Sequence, residues 1–156
     1  MNRKAFFEEL DRRFGEDETL REFSLPEAKA LIDLAFVVIM VDRKVTEEET
    51  DALRDQLETL PFATKQQAKD ALSDHIDRAC RAIAHILQDD GSIDSYIQGA
   101  AARIQSPEHR RRTLQVLSVV SFADEPHPQE TTTFFKVGDA FGWDRPDISE
   151  LWVDQN

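Results

Sequence analysis

Five carboxylates stand out by type and by place. Asp42 closes the apolar run Phe36-Val37-Val38-Ile39-Met40-Val41, and Glu48 and Glu49 follow a few residues later. Asp124 closes a second run, Leu117-Ser118-Val119-Val120-Ser121-Phe122-Ala123, and Glu130 follows it. Gathered in space, such a set would attract positive charge, either an ion or a basic protein surface. The end of a helix carries roughly half a negative charge, so an aspartate there is disfavoured by about 0.3–1 kcal/mol. A second acid across the same short loop adds repulsion. Either a cation or the positive N-terminus of the next helix offsets both. Each acid alone is also an ordinary loop or capping residue; the repetition of the arrangement is what points to a site.

The elements that must hold these acids are helices. Ala5, Phe6, Leu10 and Phe14 recur near i, i+4 and give a first helix over residues 2–14. Pro26 suits the first turn of a helix reaching Val41. Its apolar set (Ala28, Leu31, Ile32, Ala35, Phe36, Val38, Ile39 and Met40) thickens until the last turns are apolar all round, which places it centrally. Thr46 with Glu49 three residues on is a capping box, opening a helix that turns Leu53, Leu57 and Leu60 inward and stops near Pro61. A long amphipathic helix spans 65–88, Gly91 ends it, and a shorter alanine-rich one spans 92–105. Ser106-Pro107 opens a helix carrying Leu114, Val116, Leu117, Val119, Val120, Phe122 and Ala123; Pro128 opens another with Phe134, Phe135, Val137 and Phe141 inward; a last short helix starts at Pro146. Two stretches therefore share one plan: a buried helix, an aspartate at its end, a tight loop, and a glutamate in the first turn of the next helix.

Other constellations are bland. Asp89-Asp90-Gly91-Ser92-Ile93-Asp94 fails as a calcium loop, because Ile97 stands where the bidentate acid is needed. His75, Cys80 and His85 recur at fives, a poor spacing for zinc on one helix face. His109-Arg110-Arg111-Arg112 is the one strong basic run, read as a solvated face or as a weak partner contact through Arg110, Arg111 and Arg112. Trp143 and Trp152 read as packing anchors. No phosphate loop, nucleophile elbow or hydrolase carboxylate pair is present, so no catalytic residue and no enzyme activity is expected.

Composition sets the bounds. With 31 acidic and 19 basic residues the formal charge is -12, the wrong sign for nucleic acid and the right one for cations or a basic protein surface. A single cysteine excludes an internal disulfide and suits a reducing compartment. The first residues carry no signal core, and the longest apolar run, residues 34–41, is far short of the roughly 20 that a membrane span needs. A cytoplasmic protein without membrane insertion is expected.

The stretch Met40-Val41-Asp42-Arg43-Lys44-Val45-Thr46-Glu47-Glu48-Glu49 resembles the Asp-Gly-x-Ile/Val-Ser-x-Glu-Glu signature of TerB-like tellurite-resistance domains, and residues 106–151 resemble that family's C-terminal half. The resemblance implies an all-α, single-domain bundle of about seven to eight helices with internal pseudo-twofold symmetry. It divides the chain into an N-terminal helix and connection (1–24) and a TerB-like domain (25–156). It further implies an acidic patch where the two loops meet, a divalent-cation site, and a protein partner in a membrane-associated stress complex. Carried over residue by residue, Asp42 and Glu49 match the first motif, and Asp124 and Glu130 the second; Glu48 adds to the patch. The family's glycine after the aspartate is Arg43 in the first copy and Glu125 in the second, so Asp42 has a cation of its own chain as neighbour. The function expected is a non-enzymatic binding or scaffold module. The alternative is an interaction domain without metal, its partner docking on an apolar groove or on the basic helix start.

Overall fold

The computed structural model describes residues 22–41, 45–58, 60, 65–88, 92–121 and 128–142. Among them are six helices and no strand: α1 (Leu25–Met40), α2 (Glu47–Leu57), α3 (Gln66–Gln88), α4 (Asp94–Ala102), α5 (Pro107–Ser121) and α6 (Pro128–Ala140). The two further helices expected at 2–14 and from Pro146 lie outside the described residues, as do Trp143 and Trp152.

α1 is the axis of the domain. Its start is fixed twice over, by Pro26 in the first turn and by a capping box between Ser24 and Glu27. From residue 30 to residue 39 every side chain is buried, so no face is left for water. Each leucine, isoleucine, valine or phenylalanine in that run contributes roughly 1.5–3 kcal/mol of transfer free energy. The surrounding helices are what make that burial available: α1 packs against each of the other five.

The repeat read in the sequence appears as crossed packing. The units α1–α2 and α5–α6 set their first helices against each other, and the second helix of each lies on the first helix of the other: α2 on α5, α6 on α1. That is the pattern a twofold relation between the units produces. The helices α3 and α4 are inserted between them. α3 buries Leu72, Ala79 and Ile83 and, among the described residues, packs on α1 alone. α4 bridges α1 and α6. Phe23, on the N-terminal side of the 24/25 division, belongs to the same core.

Candidate functional site

The first acidic bend follows α1 and opens α2. Thr46 is the cap: its hydroxyl oxygen accepts the Glu49 N–H at 3.2 Å, and Glu49 Oε1 accepts both the Thr46 N–H at 3.3 Å and the Thr46 hydroxyl at 2.9 Å. The box draws the Glu49 side chain back over the helix start, and the packing of α2 on α5 covers it. Glu49 is only 2% exposed, and its second carboxylate oxygen is buried as well. Glu47 and Glu48, two positions and one position earlier, are exposed to water.

The second bend repeats the placement. Glu130 is the third residue of α6, as Glu49 is the third residue of α2. It is 3% exposed, and its second carboxylate oxygen is likewise buried. Dehydrating a carboxylate is costly; the unsatisfied N–H groups and the positive end of the helix dipole offset part of that cost. The same solution in both copies is the closest structural counterpart of the sequence repeat.

Of the five expected ligands, the structure therefore buries Glu49 and Glu130 and leaves Glu48 exposed, while Asp42 and Asp124 lie outside the described residues. Among the described residues no three His, Cys, Asp or Glu side chains converge to hold a metal ion. Glu48, Glu49 and Glu130 thus make no metal centre by themselves.

The basic run is divided by its surroundings. Arg110 is turned inward: its Nε donates to the Ile104 carbonyl at 2.6 Å and a terminal nitrogen to the Phe141 carbonyl at 3.1 Å, with the guanidinium 5.2 Å over the Phe141 ring. It so ties the ends of α4 and α6 to the start of α5. Arg112 is half-buried and donates to Gln115, and Arg111 is exposed. His109 stacks on Phe23 and places Nδ1 2.6 Å from Glu27 Oε2. Burial alone would raise the Glu27 carboxyl; its bonds to His109 and Ser24 outweigh that and hold it below the usual range.

A buried polar cluster went unread in the sequence. Asp33, in the middle of α1, accepts the Tyr96 hydroxyl from α4 at 2.9 Å, lies 2.8 Å from His75 Nε2 of α3, and receives Arg103 just beyond α4. Burial, followed by the Asp33 charge and its hydrogen bond, pushes the Tyr96 phenol well above its ordinary value. The signal was available: Asp33 is the one acid in the run Leu31-Ile32-Asp33-Leu34-Ala35-Phe36. The cluster satisfies itself and fastens the inserted helices to the axis. Cys80, half-buried nearby on α3, has its thiol raised by burial and by Asp77, the opposite of a reactive thiolate.

A family model described as tellurite resistance protein TerB matches residues 28–151. The chain belongs to that family. No curated protein and no solved structure matches it. No helix among the described residues is long and apolar enough to cross a membrane.

Proposed function

We propose that, as a member of the TerB family, this chain is a non-catalytic, cytoplasmic binding module of a stress-response assembly, and that its acidic bends take a hard divalent cation, calcium or magnesium. The observation that carries the reading is the pair of buried glutamates, Glu49 and Glu130, at the same position of two equivalent helices. Asp42, Glu48, Glu49, Asp124 and Glu130 would hold the ion. The donors are all oxygen, which suits calcium or magnesium and disfavours zinc. Glu49 and Glu130 are dehydrated by the fold itself, so part of the cost of binding is met before the ion arrives. When bound, the cation supplies positive charge that neutralises the acids and stiffens the bends for a protein partner.

Calorimetric titration with calcium, magnesium and zinc tests this, alongside the double variant Asp42→Asn/Asp124→Asn. Heat with calcium or magnesium, weakened in the variant, is the expected result. Absence of heat and of any rise in melting temperature with all three ions would remove the cation.

A second reading is a metal-independent contact with a basic protein. It is favoured by the outer face of α2, where Glu47, Glu48, Asp51, Asp55 and Glu58 are exposed and Arg54 is the one basic residue of 47–58. Val45, 51% exposed at the mouth of the first bend, adds an apolar contact beside them. Such binding weakens steeply with salt and is indifferent to chelators, which separates it from the first reading.

A further inference from the structure

The two inserted helices are held differently. α4 has nine residues; Ile97, Ala100 and Ala101 among them are buried, and Ile93 and Ile104 are buried at its ends. It packs on α1 and on α6, which wedges it between the two units. α3 is longer, 23 residues, and buries Leu72, Ala79 and Ile83. Ile76, Cys80, Ile86 and Leu87 reach the core but stay half-buried. Among the described residues α3 has α1 as its helical neighbour, whereas every other helix packs on two or more. Lifting α3 therefore breaks one helical interface and leaves the crossed units and α4 in contact with each other.

The Asp33 cluster is divided along the same line. Its Oδ1 accepts from Tyr96 and its Oδ2 from Arg103, both supplied by α4 and the segment after it, while His75 of α3 meets Oδ1 at 2.8 Å. Without α3 each carboxylate oxygen still has a donor, so the buried charge is not stranded. α3 is also composed to stay helical when it leaves. Neither glycine nor proline interrupts it, Ala68, Ala71, Ala79, Ala82 and Ala84 favour the helix, and Gln66 Nε2 donates to Asp70 Oδ1 one turn on at 2.9 Å. Its 23 residues exceed the length of about 12–15 below which a lone helix is marginal.

We infer that α3 is a strap that lifts off α1 as one unit, with the His75–Asp33 pair as its latch, while α4 and the two crossed units stay folded. The device is independent of the cation reading. Opening bares the flank of α1 around Asp33, where Ala30 and Val37 stand one turn to either side and are fully buried in the closed form. Cys80 is the single cysteine, so Cys80→Ser gives a thiol-free chain for one reporter at a time: Ala79→Cys on α3 or Ala101→Cys on α4, at positions 2% and 1% exposed. Thiol labelling is measured at reagent concentrations where reclosing outruns it, each rate being referred to that of the urea-unfolded chain. Ala79→Cys is expected to label at least about tenfold faster than Ala101→Cys. His75→Ala raises the Ala79→Cys rate about tenfold or more. Val116→Ala, a cavity in α5 remote from the strap, destabilises open and closed forms alike; it leaves the Ala79→Cys rate unchanged and raises the Ala101→Cys rate about fivefold or more. Equal rates at the two reporters in the parent, a comparison that needs neither further variant, would overturn the inference. So would equal acceleration of both by Val116→Ala, since α3 would then open only with the whole chain. An Ala79→Cys rate indifferent to His75→Ala would refute the latch.

Discussion

Replacing Asp33 by alanine removes the one acceptor on which α3, α4 and the segment after α4 converge. Asp33 Oδ1 faces His75 and Tyr96 and Oδ2 faces Arg103, with the aspartate side chain only 5% exposed. A hydrogen bond to a charged group is worth about 1.5–3 kcal/mol. The Arg103 side chain is 43% exposed, so water replaces much of its contribution and it belongs at the bottom of the range for ion pairs. The Tyr96 hydroxyl and the His75 ring are more enclosed and lose their partner without full rehydration. The sum is about 3–5 kcal/mol, the usual cost of breaking a buried charge pair from one side. Against a typical total of about 5–15 kcal/mol that is a large share. For a chain of this size it corresponds to a fall in melting temperature of roughly 6–20 °C. Asp33→Asn keeps the shape and one acceptor oxygen and is expected to cost about half as much. Urea titration gives the magnitude, and hydrogen exchange gives the location, with protection falling first in α3 and α4. A loss below about 1 kcal/mol in Asp33→Ala, or an even loss of protection across all helices, would refute the claim that this cluster fastens the insertion.

Tyr96 is the single tyrosine of the chain, so ultraviolet titration reads its phenol alone. Its ionisation is expected well above the ordinary value of about 10 in the folded protein, and lower in Asp33→Asn, because the neighbouring charge that opposes tyrosinate is gone. A raised folded-state value means that this contribution to stability is complete below pH ~10 and is lost as the pH rises above it; melting curves from pH 8 to 11 check this. Glu27 has the opposite sign. Its contribution is present above the unfolded carboxylate range, about pH 4.3, and disappears as the pH falls through the lower folded value. Glu27→Gln should therefore flatten the loss of stability between pH 5 and 3, and cost about 0.5–2 kcal/mol at pH 7 through the weakened cap and the lost His109 pairing.

The helices were legible because their signals are local. Thr46 with Glu49 is a cap written in two residues, and the structure builds it as a box. The wholly apolar stretch from residue 34 to residue 39 specifies a central helix wherever the rest of the chain goes. The repeat was legible as well, because each unit spells the same order of apolar helix, bend and acidic helix start. Its crossed packing was not, since the order of elements along the chain does not say whether a second helix folds back on its own first helix or on the other unit's.

The surroundings of the charged side chains were not legible for one shared reason: a sequence gives their type, while the fold decides their burial. Glu49 and Glu130 are read from the sequence as candidate ligands that are also ordinary caps, and neither reading says that they are buried. The structure buries both because α2 and α6 are themselves covered by the opposite unit. Arg110 read as part of a solvated basic face, yet it closes two helix ends whose carbonyls would otherwise lack a donor. Asp33 was passed over since its partners lie 42, 63 and 70 residues away along the chain. The duplicated core is thus held chiefly by apolar contact, and charge is spent where elements of different origin meet: Asp33 joins the insertion to the axis, Arg110 joins α4 and α6 to α5, and Glu27 with His109 joins the starts of α1 and α5.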